Sequence, residues 1–260
     1  MRTLLVDNSN TRTKFALADN EALLDWRAVV TTAEISPETL SEALLGETWD
    51  NSIISSVVPD KAVLLADCLS GKPCHLLSYR SKLPIGIQYP KPEQIGADRL
   101  ANAVGAHILF GSPSIVLDFG TAVTFDVIAS PNKNPISKSA NESTGAQEFS
   151  YLGGVIAPGL ASMTEGLARR TALLPHIQLE EPRHAIGTST EEAMLAGAVY
   201  GYRGLVKEII QELKKEIAGD PIIIATGGDS PLITQGLPEI QHLSPLLTLE
   251  GLRIIAELNF

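Results

Sequence analysis

Several features that define common protein classes are scarce or missing in this chain. It has only two cysteines, Cys68 and Cys74, at a spacing that matches no zinc or redox motif, so we interpret them as incidental thiols in a reducing compartment. No apolar stretch approaches the length of a membrane span. Met1-Arg2 leads directly into a predicted strand, so we expect no signal peptide and a cytoplasmic location.

Basic residues are also few, which bears on the choice of partners. The chain has 20 Lys and Arg against 30 Asp and Glu, a net charge of −10, and no basic cluster. Because affinity for a nucleic-acid backbone comes from Lys and Arg, a nucleic-acid partner is disfavoured. The five histidines are scattered and form no metal-ligand pair at helical spacing.

Two frequent enzyme signatures are absent as well. There is no Gly-x-x-x-x-Gly-Lys-Ser/Thr loop and no Gly-x-Ser-x-Gly elbow, so neither a P-loop nucleotide site nor a serine hydrolase is indicated. What the 260 residues do have is 44% hydrophobic and 19% charged side chains, which is typical of a globular core in one large or two medium domains.

The most informative stretch lies at residues 114–128. An apolar run ends at Asp118, Gly120 and Thr121 follow, and a second apolar run comes next. This pattern predicts strand, tight turn and strand. Gly120 would let the backbone approach a ligand, Thr121 could donate to a phosphate oxygen, and Asp118 could hold a cation or its bound water.

The same arrangement occurs at residues 3–17, where an apolar run is followed by Asp7, Ser9 and Thr11 and then by a second strand. One copy alone would be interpreted as a structural turn. Two copies with Asp and Thr at similar positions indicate a duplicated domain, with two phosphate hairpins that clamp one polyphosphate.

Elsewhere, strands alternate with helices, which predicts an α/β fold. One predicted helix covers residues 32–45, and a long one begins at Thr190. We expect two domains, 1–113 and 114–260, with a polar hairpin loop at 130–148 whose role is unknown. The glycines in Thr226-Gly227-Gly228-Asp229, after a buried strand, could accommodate a nucleotide base, although a plain strand-to-helix turn explains them equally well.

A second polar group lies at Gly96-Ala97-Asp98-Arg99, where a helix is predicted to begin. Asp98 could take the proton of a substrate hydroxyl, and Arg99 could bind a substrate carboxylate through both arms of its guanidinium. From spacing alone, a helix-terminal acid beside a surface arginine is the better explanation. Together with the two hairpins, however, the set suits phosphoryl transfer, which mainly requires positioning and charge neutralisation.

These stretches resemble the type III pantothenate kinases, which belong to the superfamily of actin-like ATPases and sugar kinases. The resemblance runs nearly from end to end, and its motifs are specific because several occur in the right order. They are residues 7–14, Tyr89, residues 96–99, 118–122, 153–159, 171–175, 187–191 and 247–252.

The resemblance implies two actin-like (ribonuclease H-like) domains related by duplication, with a ligand cleft between them. It implies transfer of the γ-phosphoryl group of ATP to pantothenate, the first step of coenzyme A biosynthesis, in a homodimer. Mg²⁺ would accompany ATP, and Asp118 would ligate a monovalent cation, K⁺ or NH₄⁺. Asp98 would be the catalytic base. Tyr89, Gly96, Ala97, Asp98, Arg99 and Thr190 would bind pantothenate, while ATP would contact Asp7, Asn8, Ser9, Asn10, Thr11, Arg12, Thr13, Lys14 and Thr121.

One departure from the family pattern concerns ATP binding. The first hairpin of the family usually carries Asp-x-Gly-Asn-Thr, and Ser9 occupies the glycine position here. A requirement for positive φ would strain a serine, and its Cβ would crowd a phosphate that approaches the backbone. We expect ATP binding to survive with reduced affinity.

Two other functions remain open at this stage. A non-catalytic, transcription-activator-like relative is disfavoured by the intact Asp98 and by the acidic chain. A kinase for another small hydroxylated acid would need the same residues, and only a panel of substrates separates it from a pantothenate kinase.

Overall fold

The computed structural model describes residues 1–131 and 148–260. Most of the predicted polar loop at 130–148 therefore lies outside the described residues. Of these residues, 1–111, 148–152 and 246–260 form one compact unit, and 112–131 and 153–245 form a second. Among the helices described, none is both long and apolar enough to cross a membrane.

The elements alternate as expected for an α/β protein. The strands are β1 (Thr3–Asn8), β2 (Arg12–Ala18), β3 (Leu23–Thr31), β4 (Asn51–Ser56), β5 (Cys74–Leu76), β6 (Gly86–Ile87), β7 (Ser114–Phe119), β8 (Ala122–Ala129), β9 (Ser150–Pro158), β10 (Ile222–Thr226) and β11 (His242–Leu243). The helices are α1 (Pro37–Ala43), α2 (Pro59–Leu69), α3 (Ala97–Phe110), α4 (Leu160–Arg170), α5 (Thr190–Glu216), α6 (Ser230–Thr234) and α7 (Leu247–Asn259).

The predicted helix over residues 32–45 is wrong in its length. Its first residues, Thr32–Glu34, form a single 3₁₀ turn, and α1 begins only at Pro37. Two features separate the pieces. A residue before proline avoids the helical region, and Ser36 forms a capping box with Thr39, in which each side chain bonds the other residue's backbone N–H.

The first unit is built on a five-stranded sheet of order β3-β2-β1-β4-β5. β1 runs antiparallel to β2 and parallel to β4. One face of the sheet carries an apolar cluster, in which strand residues such as Leu4, Phe15 and Ile54 pack with Leu40 of α1 and Leu65 of α2. Burial of these side chains is the main driving force for the unit.

Helices α3 and α7 pack closely on each other in the same unit. A Cβ on Gly251 of α7 would overlap the carbonyl oxygen of Ala101 in α3, so only glycine permits this approach. Thr248 Oγ1 also donates to Oδ1 of the buried Asn102 at 2.8 Å. Through these contacts the C-terminal helix belongs to the first unit, so the compact units do not follow one division of the chain at residue 113.

The second unit repeats the strand order of the first. Its sheet runs β11-β10-β7-β8-β9 and is extended by β6 to six strands, with β7 antiparallel to β8 and parallel to β10, so β7 takes the position of β1. Strand β9 begins in the first unit, where Ser150 and Tyr151 pair with β6. The repeated order is what a duplicated domain requires, and the α/β fold with two mixed sheets is confirmed.

Candidate active site

The first predicted phosphate hairpin joins β1 to β2 through a turn whose backbone is held by hydrogen bonds. Within the turn, Ser9 N donates to Arg12 O at 3.1 Å. Thr32, the first residue after β3, donates from its N–H to Thr11 O at 3.0 Å and from Oγ1 to Ser9 O at 2.7 Å. The shape of the turn is therefore set before any ligand binds.

The predicted ATP-binding residues of this hairpin fall into three groups, of which the third consists of Asp7, Ser9 and Lys14, joined by hydrogen bonds. Asn8 and Thr13 form the first group and are buried. Asn8 Nδ2 donates to Thr13 Oγ1 at 2.7 Å, so this pair stabilises the turn at its buried base. The second group consists of residues exposed at the tip of the turn: Asn10, Thr11 and Arg12.

The carboxylate of Asp7 lies almost completely buried at the end of β1. Lys14 Nζ donates to Oδ2 at 3.2 Å, and Ser9 Oγ donates to Oδ1 at the same distance. In the sheet register, Asp7 is opposite Lys14 on one side and Ser55 on the other. Since residues in register share a face, these three side chains form one row, which we call the Asp7 row.

Ser9 carries no backbone strain. Among the described residues, no amino acid other than glycine has a positive φ, and this includes Ser9. The possibility that this position needs a left-handed conformation is therefore eliminated, and the serine hydroxyl instead supports Asp7.

The second predicted phosphate hairpin joins β7 to β8 through the exposed pair Gly120 and Thr121. Gly159, the first residue after β9, donates its N–H to Thr121 O at 3.1 Å, and Ser162 Oγ donates to the same oxygen at 2.8 Å. A Cβ on Gly159 would overlap the Gly120 carbonyl oxygen and lie 2.5 Å from that of Thr121. Glycine is thus required here for close packing against the turn.

Asp118 lies half-buried at the end of β7. Thr124 and Thr226 are its neighbours in register on β8 and β10, which gives an Asp118 row of three oxygen-bearing side chains. Gly227 has φ +91°, and a Cβ there would lie 2.6 Å from Asp118 Oδ1. The first glycine of the Gly-Gly turn is therefore explained by its positive φ and by its close approach to the Phe119 backbone beside this carboxylate, which the sequence did not reveal.

The residue that follows the Gly-Gly turn also contacts this hairpin. Asp229 N donates to Phe119 O at 3.2 Å, and burial raises the pKa of the Asp229 carboxyl. Burial also raises the pKa of the Tyr202 hydroxyl, and the charge of Asp229 adds to this effect. Tyr202 itself packs against Phe119, with ring centroids 6.4 Å apart.

In the first unit, Asp98 lies in the first turn of α3, and its carboxylate folds back over the start of the helix. Oδ1 accepts from Arg99 N at 2.8 Å. A Cβ on Gly96 would lie only 2.5 Å from the same oxygen, so the carboxylate occupies space that exists because residue 96 is glycine. The partial positive charge of the helix start favours an ionised carboxylate there, as a general base requires. Ala97 is buried and contributes no polar side chain.

Tyr89 and Arg99 both contact Tyr151, a residue that no sequence motif marked as part of the site. The guanidinium carbon of Arg99 is 5.7 Å from the ring centroid of Tyr151, and the ring of Tyr89 is 6.1 Å away at 61°. Tyr151 is fully buried at the start of β9. Its only signal in the sequence was an aromatic residue in a predicted strand, because the pairing of β9 with β6 is not visible along the chain.

Thr190 is the first residue of α5 and is exposed, in the second unit. Ser189 caps this helix by accepting from Glu192 N at 3.2 Å, and Glu192 accepts from both N and Oγ1 of Thr188 at 2.7 Å. The structure therefore groups Tyr89 with residues 96–99 in one unit and Asp118 with Thr121 in the other, with Thr190 at a separate helix start.

The side chains also fit the cations that such a site would use. Mg²⁺ prefers oxygen ligands and retains several waters. The Asp7 row offers a carboxylate and the Ser55 hydroxyl, which has no hydrogen-bond partner among the described residues. In the described parts of the chain, no group of three or more His, Cys, Asp or Glu residues could hold a metal ion by itself, so a cation here would share its ligands with a substrate or with water.

Two α/β units of the same strand order, each with an acidic hairpin at the end of its first strand, define a duplicated α/β fold. A solved structure of this shape is the ethanolamine utilization protein EutJ from Carboxydothermus hydrogenoformans. It has a TM-score of 0.59 and 13% identity, and the match covers 98% of this chain and 90% of that one. This likeness concerns the fold alone.

The sequence pattern of the type III pantothenate kinase family matches residues 3–134 and 145–212. The type III pantothenate kinase of Akkermansia muciniphila is 54% identical over 259 residues, covering 100% of both chains. That of Methylacidiphilum infernorum is 39% identical, covering 98% of this chain and 88% of its own. The chain belongs to the type III pantothenate kinase family and is an enzyme. The predicted family is confirmed, and neither the regulatory nor the other-substrate alternative is favoured.

Proposed function

We propose that the protein transfers the γ-phosphoryl group of ATP to the primary hydroxyl of pantothenate, as the first step of coenzyme A biosynthesis, with Asp98 as the base. The observation that carries the role of Asp98 is its carboxylate at the start of α3, in the space that Gly96 leaves. A carboxylate held in this way can accept the proton of the hydroxyl as the bond to phosphorus forms.

Pantothenate binding is assigned to Tyr89, residues 96–99 and Thr190. Arg99 is the natural partner of the substrate carboxylate because a guanidinium binds a carboxylate through two parallel hydrogen bonds. Its position over the Tyr151 ring, which Tyr89 also contacts, limits the directions in which it can point.

ATP binding is assigned to residues 7–14 and Thr121. The exposed tips of the two hairpins would donate to phosphate oxygens, and Asp7 would hold the Mg²⁺ that accompanies ATP. When bound, Mg²⁺ neutralises charge on the phosphate oxygens. Lys14 and Ser9 keep the Asp7 carboxylate in place in the absence of ligand.

A monovalent cation, K⁺ or NH₄⁺, is assigned to Asp118. In the Asp7 row, the neighbour of the aspartate on the antiparallel strand β2 is Lys14, whose side chain is itself a cation. The corresponding neighbour of Asp118, on β8, is Thr124, which is neutral. A row of a carboxylate and two threonines is a set of oxygen atoms suited to a bound cation.

Homodimerisation and a cytoplasmic location are also proposed. Large apolar side chains are exposed in the second unit, including Leu173 at 89% and Ile186 at 84%, together with Met163 and Leu167 on α4. Exposed apolar side chains of this kind commonly mark a protein interface. The free thiols of Cys68 and Cys74 suit a reducing compartment.

The test is ATP-dependent phosphorylation of pantothenate with Mg²⁺, in potassium, ammonium and sodium buffers. Asp98→Asn should lower kcat by about 10²–10⁴-fold, as expected for loss of a general base. The matched control is Asp60→Asn, which removes an exposed acid from the first turn of α2 and should leave kcat unchanged. Wild-type activity in Asp98→Asn would refute the base assignment, and equal rates in sodium and potassium would refute the cation site. A substrate panel in which another hydroxylated acid is preferred would refute the choice of pantothenate.

A further inference from the structure

Two serines of β4 are buried without a hydrogen-bond partner among the described residues. Ser52 is fully buried and Ser55 is 1% exposed, and neither hydroxyl oxygen has a partner. A buried hydroxyl that gives up its hydrogen bonds to water and gains none in return destabilises the fold. Both serines thus have a buried hydroxyl without a hydrogen-bond partner among the described residues, but the two lie at different places in the sheet.

Ser52 faces the apolar core. It is in register with Leu4, which belongs to the apolar cluster between the first sheet and helices α1 and α2. Ser55 lies three residues further along β4 and therefore points to the opposite face of the sheet. There it belongs to the Asp7 row, beside the carboxylate assigned to the Mg²⁺ of ATP.

The second unit repeats this hydroxyl in an independent stretch of sequence. Thr226, at the end of β10, is in register with Asp118 at the end of β7, as Ser55 is with Asp7. Each hairpin carboxylate thus has a hydroxyl beside it on the neighbouring parallel strand. An incidental serine explains one such arrangement, whereas two at equivalent places of a duplicated fold indicate a shared role.

The position of Ser55 also connects the hairpin to the start of α3. Two residues further on, Val57 N donates to Asn8 O of the hairpin at 3.1 Å. The side chain of Val57 lies close to the residue before α3. Val57 Cγ1 is 3.5 Å from the position that a Cβ on Gly96 would take. Ser55 is therefore in the segment that lies between the hairpin and the Asp98 turn.

We propose that Ser55 is a further positioning residue for the nucleotide, whose hydroxyl oxygen accepts a hydrogen bond from a water of the hydrated Mg²⁺ that Asp7 holds with ATP. Mg²⁺ retains several of its waters in proteins, and the O–H groups of those waters need acceptors of fixed position. The hydroxyl that lacks a partner in the free protein gains one in the complex. This inference rests on the proposed assignment of Mg²⁺ and ATP to the first hairpin.

The experiment compares Ser55→Ala with Ser52→Ala. Each substitution removes one unpartnered hydroxyl from the same strand, so the melting temperature of the free protein should be unchanged or raised in both variants. Binding of a non-hydrolysable ATP analogue is then measured by calorimetry across a range of Mg²⁺ concentrations. Ser55→Ala should need about tenfold more Mg²⁺ for half-maximal binding, the effect of one lost hydrogen bond, and Ser52→Ala should match the wild type.

A third variant separates the hydroxyl from the shape of the side chain. Ser55→Thr places at β4 the residue that the second unit uses at the same position, and it should restore the Mg²⁺ dependence of the wild type. An unchanged Mg²⁺ dependence in Ser55→Ala, or an equal loss in Ser52→Ala, would overturn the proposal. Because binding of the analogue requires no turnover, a wild-type protein that failed to phosphorylate pantothenate would refute the proposed function while leaving this test valid.

Discussion

The two hairpins are held by the same backbone hydrogen bonds, although their sequences differ. In each unit, the first residue after the third strand of the sheet donates its N–H to a carbonyl of the turn. Thr32 donates to Thr11 at 3.0 Å, and Gly159 donates to Thr121 at 3.1 Å. Because a backbone group makes these bonds, they could persist after the duplication while the side chains diverged.

A second pair of bonds shows the same correspondence. Val57 follows β4 and donates to Asn8 at 3.1 Å, and Asp229 follows β10 and donates to Phe119 at 3.2 Å. In both units the acceptor is the residue directly after the hairpin aspartate. Each hairpin is therefore anchored from both neighbouring segments, which holds its tip in a fixed conformation.

The two units differ in the groups that surround these backbone hydrogen bonds. Polar side chains support the first hairpin, with Thr32 Oγ1 on Ser9 O and Lys14 on Asp7. At the second hairpin, Ser162 supplies one side-chain bond to the turn, and Gly159 and Gly227 allow backbone to pack directly against the backbone of the turn and of Phe119. The first hairpin should therefore be sensitive to loss of polar groups, and the second to added side-chain atoms.

The largest expected effect comes from Gly159→Ala, because the new Cβ would overlap the backbone of the second hairpin. Overpacking of this kind should cost about 3 kcal/mol of unfolding free energy, and displacement of Thr121 should abolish most activity. Urea unfolding and the kinase assay measure both effects. The control is Gly166→Ala in α4, where nothing lies within 4 Å, and helix propensity predicts a gain of about 0.5–1 kcal/mol. A Gly159→Ala variant as stable as the wild type would contradict the comparison.

A smaller effect is expected for Lys14→Met, which removes the charged donor from the buried Asp7 carboxylate and leaves it the hydrogen bond from the Ser9 hydroxyl. We expect a loss of about 1–3 kcal/mol of unfolding free energy, since a buried acceptor loses a charged donor, together with a higher KM for ATP. The control is Lys215→Met, which breaks an exposed pair with Glu212 and should change neither quantity. Unchanged stability and KM in Lys14→Met would show that this ion pair does not support the hairpin.

The smallest effect is expected for Ser9→Gly, which restores the usual residue of the family. Because Ser9 has no positive φ, glycine relieves no strain, and the variant loses the bond to Asp7 together with some backbone rigidity. The expected cost is about 0.5–1 kcal/mol of unfolding free energy, with ATP affinity within about twofold of the wild type. A tenfold gain in ATP affinity would instead mean that the serine Cβ crowds a phosphate.

Local signals along the chain predicted much of this architecture. The apolar runs that end at Asp7 and Asp118 identified both hairpins, and the spacing after Gly96 identified α3 with Asp98 in its first turn. The helix over residues 32–45 was predicted from an opening at Ser36-Pro37, a capping serine followed by a proline, and α1 does begin there, whereas Thr32–Glu34 form a separate 3₁₀ turn. Local patterns thus located elements more reliably than their ends.

The amino-acid sequence by itself determined the α/β class, the two acidic hairpins and the family, because these depend on short patterns and on the order of motifs. Only the tertiary structure decided that Ser55 lies beside Asp7, that Tyr151 lies between Tyr89 and Arg99, and that α7 packs in the first unit. The physical reason is the same in each case. Strand register and helix packing join residues that are far apart along the chain, and no local preference of either partner encodes that pairing.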